Sequence, residues 1–119
     1  MNGSILNPVN RHGQELFYGF IRVHVLLHAA HEPIYGLAMI KELERHGYQT
    51  GPGTLYPLLH GLERAGLLKS VSEKVEERKR RVYRITSGGK KALESASAKV
   101  DELYNELHEE RPRRISAKR

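Results

Sequence analysis

Three histidines near the start of the chain are spaced for metal binding. His24, His28 and His31 are four and three residues apart in one apolar stretch with helical periodicity, so their side chains share a helix face. Two imidazoles one turn apart can bind a zinc ion together. Glu32, or a residue from the last helix of a second copy such as His108 or Glu109, could complete the ligand set. The same histidines could instead be hydrogen-bonded side chains packed at a contact between subunits. The sequence leaves both interpretations open.

A second group of side chains is suited to contacting DNA. Gly47 is expected to end the second helix in a left-handed conformation, and the turn after it leads into a short helix. This helix begins at Pro52, where the missing N–H of proline costs no hydrogen bond. Leucines at positions 55, 58 or 59, and 62 form one face of this helix, which leaves the opposite face for a partner. The side chains predicted on that face are Thr54, Tyr56, Pro57, His60 and Arg64. A solvated face without a partner is the alternative.

A third group could neutralise phosphates. Arg78, Lys79, Arg80 and Arg81 are consecutive, and they lie in a basic part of the chain: residues 1–91 carry 14 Lys and Arg against 8 Asp and Glu. Residues 92–110 carry 1 against 6 and are acidic. Contacts between cations and phosphates set affinity and salt dependence more than sequence preference. A basic run that is only solvated remains the alternative.

The composition excludes several other kinds of site. The chain has 119 residues, which suits one domain, and no cysteine, which excludes disulfides and thiolate ligands. No apolar run approaches the roughly 18 residues of a membrane span and the start lacks a signal-peptide pattern, so we expect a cytoplasmic protein. Its serines and carboxylates form no recognisable catalytic motif. We therefore expect no enzyme activity and no required cofactor.

Three helices are predicted to position these groups. Residues 14–31 repeat apolar side chains at helical spacing, residues 35–46 form the second helix, and the third is the short helix after Pro52. The inward side chains of the second helix are expected to be Leu37, Ile40 and Leu43. Residues 1–13 are expected to form a flexible arm.

A β-hairpin and a long helix are predicted to follow. Residues 67–73 alternate with Leu67, Lys69 and Val71 on one side, and residues 81–85 alternate with Tyr83 and Ile85 facing inward. The connecting residues lack Gly, Asn and Asp, so the type of turn cannot be assigned. Thr86-Ser87 is expected to cap the last helix, residues 87–110, and a basic, proline-broken tail forms residues 111–119.

The last helix has a narrow heptad stripe, which is typical of packing against another helix, and the first helix has a wide apolar face. Both features predict a homodimer. The residues expected at its interface are Phe17, Phe20, Ile21, His24, His28, Leu93, Ala96, Val100, Leu103, Tyr104 and Leu107.

The order helix, helix, turn, helix, strand, basic strand, long helix predicts a mainly α fold with a small β-hairpin. It is a winged helix-turn-helix over residues 14–86 followed by a dimerisation helix. Three segments also resemble the PadR-like transcriptional regulators, and the resemblance spans roughly residues 17–95. They are Pro52-Gly-Thr-Leu-Tyr-Pro-Leu-Leu59, Leu62-Glu-Arg-Ala-Gly-Leu-Leu68 and Arg80-Arg-Val-Tyr-Arg-Ile-Thr86.

The resemblance implies a homodimeric repressor joined through the first and last helices, with operator DNA contacted by the third helix and the wing. Glu76 and Glu77 depart from the family pattern of Gly with basic residues at the wing tip, and Gly51 stands where Ser is common. We hypothesise a repressor released by a small-molecule or divalent-metal effector bound at or near the dimer interface. The alternatives are a metal-responsive repressor that uses His24, His28 and His31, and a winged-helix protein-interaction module.

Overall fold

The computed structural model describes residues 11–111 and 114–115, and their elements follow the predicted order. The helices are α1 (Arg11–His31), α2 (Gly36–Arg45), α3 (Pro52–Arg64) and α4 (Ser87–Leu107). The strands β1 (Ile34–Tyr35), β2 (Leu68–Val75) and β3 (Arg78–Ile85) form one antiparallel sheet in the order β1-β3-β2. The prediction of a mainly α winged helix-turn-helix with a small hairpin is confirmed, and β1 adds a two-residue strand beside β3.

Leucines on the inner face of α3 hold this helix against the rest of the chain. Leu55 and Leu59 have no exposed surface, and Leu58 and Leu62 are buried beside them. They share one core with Leu43 of α2 and with side chains of α1 and the sheet. Burial of each leucine side chain contributes about 1.5–3 kcal/mol. The leucine face therefore fixes which side of α3 faces outward.

The turn between α2 and α3 is a glycine-terminated helix end. Gly47 has a φ of 93°, in the left-handed region that favours glycine. Its N–H donates to the carbonyl of Glu44 at 2.9 Å, and the N–H of Tyr48 donates to the carbonyl of Leu43 at 3.0 Å. These two bonds make a Schellman motif. The predicted helix stop is confirmed, and the motif fixes the backbone of His46.

A close contact between α2 and α3 sets the position of Tyr56. Gly36, the first residue of α2, is buried next to the Tyr56 ring, and a Cβ atom at position 36 would overlap with that ring. Tyr56 is consequently half-buried and packs against the core. The face of α3 that was predicted to point outward is thus partly packed at this residue.

Some boundaries differ from the predictions. α1 already includes residues 11–13, which were expected in the arm, while residues 1–10 lie outside the described residues. α4 ends at Leu107, before the predicted end at residue 110. Of the expected basic tail, residues 112–113 and 116–119 also lie outside the described part of the chain.

Leu37 does not face inward as predicted, because 60% of it is exposed. The buried residues of α2 are Gly36, Met39, Ile40 and Leu43. Leu37 lies about 100° around the helix from Gly36, outside this stripe. Leu37 was predicted to face inward because it is apolar, and this prediction was wrong.

The hairpin is longer and tighter than predicted. β2 and β3 pair from Leu68 opposite Ile85 out to Val75 opposite Arg78, so only Glu76 and Glu77 form the turn. Both glutamates have positive φ, 49° and 66°. Positive φ at both central residues is the pattern of a type I′ turn, which normally uses Asn and Gly. The wing tip therefore holds two residues in a backbone region that their side chains disfavour.

The sequence did not determine which side of β2 faces inward, and in the structure it is the side that begins at Leu68. Leu68 is buried, whereas Leu67 is half-buried and Val71 is 46% exposed. Because side chains alternate along a strand, the side that carries Lys69 and Val71 faces outward. The prediction for β3 is confirmed at Tyr83, which is fully buried, and Ile85 packs against the core.

We expect the double substitution Glu76→Asn, Glu77→Gly to raise the free energy of unfolding by about 1–2 kcal/mol, because it relieves two left-handed residues. Urea denaturation followed by circular dichroism measures the change. A matched Glu76→Gln, Glu77→Gln variant removes the same charges without relieving the backbone. An equal gain in the glutamine variant would assign the effect to charge and contradict this explanation.

Gly36→Ala should lower the free energy of unfolding by about 1–3 kcal/mol, since the added methyl group must displace the Tyr56 ring. Gly53→Ala is the control, because a Cβ atom at position 53 meets no described atom within 4 Å. The control should be neutral or gain about 0.5–1 kcal/mol from helix propensity. If thermal denaturation finds the two variants equally stable, Tyr56 can move aside without cost and the packing explanation fails.

Candidate nucleic-acid interface

The outward side of α3 has both exposed and half-buried side chains. Pro57, His60 and Arg64 are exposed, while Thr54 and Tyr56 are half-buried. The helix begins after Gly51 without a side-chain cap and continues through Pro57 as one element. All five side chains predicted to contact DNA therefore lie on one continuous helix, with His60 and Arg64 one turn apart toward its end.

A groove of about 270 Å³ joins this helix to the wing. Its lining residues are Tyr35, Gly36, Leu37, Tyr56, Arg78, Lys79, Arg80 and Arg81. Tyr56 and the four predicted phosphate-binding cations are thus brought together. Two lining side chains, Tyr35 and Leu37, were missed by the sequence analysis: Leu37 was assigned to the core, and Tyr35 to the start of a helix.

Tyr35 links the groove to the wing. Its hydroxyl donates to Oε2 of Glu73 on β2 at 3.2 Å, and the guanidinium of Arg80 lies 5.8 Å from the centre of its ring. Burial and this hydrogen bond raise the pKa of Tyr35, so the hydroxyl stays a donor. The aromatic ring supports the Arg80 side chain by a cation–π contact.

Arg81 is held at the base of the wing by a chain of hydrogen bonds. Its Nη1 donates to Oγ of Ser70 at 3.0 Å, and Ser70 Oγ donates to the Glu63 carboxylate at 2.9 Å. Glu63 belongs to α3, so this chain ties the wing to the helix. The arrangement sets the angle between the two elements that would meet DNA.

Three histidines form a cluster elsewhere on the chain, but they are not the predicted three. The nitrogen atoms of His24, His28 and His46 lie within 4.8 Å of one another. His31 is exposed at the end of α1 and is not part of this group. The histidines that the structure brings together therefore differ from the set predicted from spacing, because His46 joins His24 and His28 from the end of α2. The spacing of histidines within α1 could not predict the position of His46, which belongs to another part of the chain.

Glu42 lies beside the histidines. Its Oε2 is 3.0 Å from Nε2 of His46 and 3.5 Å from Nε2 of His28. Hydrogen bonds from Arg45, one at 2.7 Å, are the main cause that lowers the pKa of Glu42 to about 2, so the carboxylate is ionised near neutral pH. Burial, and then the charges of His46 and His28, lower the pKa of His24.

The residues predicted at a dimer interface differ in how exposed they are in the structure. Phe20, Val100, Leu103, Tyr104 and Leu107 are exposed apolar side chains, and Leu107 is 71% exposed. Phe17, Leu93 and Ala96 are half-buried.

Ile21 is only 3% exposed and belongs to the core of its own subunit, so it cannot offer surface to a partner. His24 and His28 face the cluster within the subunit. Within residues 11–111, none of the helices combines the length and hydropathy needed to cross a bilayer.

Comparisons with known proteins agree with this architecture. A family model described as the transcriptional regulator PadR-like family matches residues 25–95, more than half of the chain. Transcriptional regulator Rv3488 of Mycobacterium tuberculosis is 47% identical over 87 residues, which cover 73% of this chain and 81% of that protein.

Solved structures of similar proteins share the fold. A PadR family transcriptional regulator from Eggerthella lenta has a TM-score of 0.69 at 35% identity, covering 79% of this chain and 83% of that one. A PadR-like transcription factor from Bacteroides fragilis has a TM-score of 0.73 at 25% identity, covering 82% of this chain and 96% of that one. The chain therefore belongs to the PadR-like family of transcriptional regulators and is not an enzyme.

Proposed function

We propose that the chain is a homodimeric, sequence-specific DNA-binding repressor that an effector releases from its operator. The observation that carries the proposal is the groove where α3, the start of α2 and the basic end of β3 meet. A winged helix-turn-helix places the second helix of the motif, which is α3 in this chain, in the major groove and its wing beside the phosphate backbone. The groove brings the two DNA-binding surfaces of such a protein side by side.

The two surfaces have different tasks in this proposal. Thr54, Tyr56, His60 and Arg64 contact bases from α3, and the guanidinium of Arg64 can form two hydrogen bonds with a guanine. Pro57 and Leu37 offer apolar contact to thymine methyl groups. These contacts from α3 and the start of α2 carry sequence preference.

The wing supplies affinity. Arg78, Lys79 and Arg80 bind phosphates, and Arg81 is positioned by Ser70 and Glu63. Glu76 and Glu77 at the tip repel phosphates. The contact with the backbone therefore begins at Arg78 and runs toward the base of the wing, without deep insertion of the tip.

A second copy of the chain covers the exposed apolar surface. Phe20 of α1 and Val100, Leu103, Tyr104 and Leu107 of α4 are exposed in one subunit. The stripe on α4 has heptad spacing, which suits a helix of the second copy. Residues 92–110 carry 1 Lys and 6 Asp and Glu, so this region is repelled by DNA and suited to contact with protein.

Release of the operator requires an effector that binds one dimer geometry more tightly than another. A site at or near the dimer interface would satisfy this requirement, because a change there alters the spacing of the two α3 helices. A small aromatic or lipophilic compound and a divalent metal are the two effector classes we consider. A protein-interaction module with an incidental basic groove is the competing hypothesis.

The triple substitution Arg78→Ala, Lys79→Ala, Arg80→Ala should weaken binding to all DNA sequences. The slope of log affinity against log salt should become shallower by about 0.9 for each phosphate that the variant no longer neutralises. Fluorescence anisotropy measures this slope on a site selected from random DNA. The Lys90→Ala, Lys91→Ala variant removes two exposed lysines of α4 and should keep the slope.

Arg64→Ala should change the base preference of the selected site and cost about 1–3 kcal/mol on the original site. Repeating the selection from random DNA with the variant measures the preference. Weak binding of the unmodified chain with no preferred site and a flat salt response would instead favour the protein-interaction module.

Leu103→Glu combined with Leu107→Glu should convert a dimer to a monomer, because it places two carboxylates from each subunit in the proposed dimer interface. Analytical ultracentrifugation measures the change. Ser97→Glu with Ala98→Glu adds the same charge at exposed positions off the stripe and should leave the dimer intact. A monomeric unmodified chain would contradict the homodimer.

A further inference from the structure

The histidine cluster combines side chains from two elements, and none of these side chains lines the groove between α3 and the wing. His24 and His28 come from α1, and His46 comes from the end of α2. Their nitrogen atoms lie within 4.8 Å of one another. The rings of His24 and His46 are 5.0 Å apart between centres, with planes inclined at 32°. Three imidazoles thus surround one small volume.

A carboxylate adjoins the same volume. Nε2 of His28 and Nε2 of His46 both approach Oε2 of Glu42, at 3.5 and 3.0 Å. Glu42 is ionised and is oriented by Arg45, whose Nε and Nη2 donate to its two oxygens at 3.3 and 2.7 Å. Three imidazoles with an oriented carboxylate beside them are a donor set suited to zinc, cobalt(II) or nickel(II).

The distances are close to those of a bound ion. Zinc–nitrogen bonds of about 2.0–2.1 Å in a tetrahedron place ligand nitrogens about 3.4 Å apart. The nitrogen atoms, which lie within 4.8 Å of one another, therefore need to approach by at most about 1.4 Å, which side-chain rotation can supply. The Schellman motif after α2 holds the backbone of His46, while its side chain, 38% exposed, can rotate.

We infer that His24, His28 and His46, with the Glu42 carboxylate beside them, form a binding site for a divalent transition-metal ion, and that this ion is an effector of operator binding. The effector role rests on the proposed function, whereas metal binding does not. An ion at this site would join α1, which carries part of the proposed dimer surface, to the end of α2. α2 leads directly into the turn before α3.

The link to α3 is short. His46 is followed by Gly47 and Tyr48, and the Tyr48 ring packs against the ring of His24 at 5.5 Å between centres, inclined at 73°. Drawing His24 and His46 toward an ion changes the packing around Tyr48. The angle between α1 and the helix-turn-helix changes with it, and in a dimer this angle sets the separation of the two α3 helices.

Cobalt(II) titration of the tag-free full chain tests the site, because tetrahedral cobalt has visible d–d absorption. Zinc affinity is measured in parallel by competition with a chromogenic chelator. Loss of an outer-shell partner typically lowers metal affinity about 10–100-fold, so His28→Ala and His46→Ala should lose about 100-fold or more. His31→Ala removes a histidine of α1 outside the cluster and should bind as the unmodified chain does.

His46→Gln tests whether His46 is a metal ligand or only a hydrogen-bonding residue. Glutamine can still donate to Glu42, but it is a poor zinc ligand. We expect it to stay folded by circular dichroism and to lose zinc affinity. Absence of the cobalt spectrum in the unmodified chain, or unchanged binding in His46→Ala and His46→Gln, would overturn the site.

Operator affinity with and without saturating zinc tests the regulation. Zinc should weaken operator binding of the unmodified chain within the about 5–150-fold range of allosteric coupling, and His46→Gln should not respond. Metal binding without any change in operator affinity would overturn the effector role. A chain that binds no operator in either condition would overturn the repressor proposal, while the cobalt spectrum would still decide the site.

Discussion

The burial of Leu55, Leu59 and Leu62 is the constraint on which the proposed interface depends. α3 has 13 residues, a length at which an isolated helix is marginal in water. Its stability and its orientation therefore come from packing against α2, α1 and the sheet. Once these leucines face inward, His60 and Arg64 must face outward, because the two faces of a helix are set by its period. Burial of the leucines determines which positions of α3 face outward, and it does not determine which residue types occupy those positions.

The sequence predicted the parts of this arrangement that depend on neighbouring residues. The start of α3 at Pro52 and the stop at Gly47 were confirmed because each relies on one residue with a restricted or permissive φ. The packing of Tyr56 against Gly36 and the position of His46 beside His24 and His28 were not predicted. Both depend on how one helix lies across another, and spacing within a helix does not encode that relation.

The wing shows a different limit of prediction. Leu67 and Leu68 satisfy the alternating pattern equally well, so only the packing of the sheet on the helices decides which one faces inward. The turn was unassigned because Glu76 and Glu77 are unusual for a type I′ geometry. Eight residue pairs between β2 and β3 impose that geometry on them. Pairing along the strands thus overrides the local preference of the turn residues.

α1 connects the core, the histidine cluster and the proposed dimer surface because its faces have different neighbours. Val25 is buried in the core, His24 and His28 lie beside His46, and Phe20 is exposed. Packed cores shift between discrete arrangements more readily than they deform continuously. In the proposed dimer, a change on one face of α1 would therefore move the helix-turn-helix as a unit. The distance between successive major grooves on one side of DNA is fixed at about 34 Å. A dimer whose α3 helices are displaced from that spacing can engage only one half-site well, so a small change of angle at α1 is converted into a loss of operator affinity.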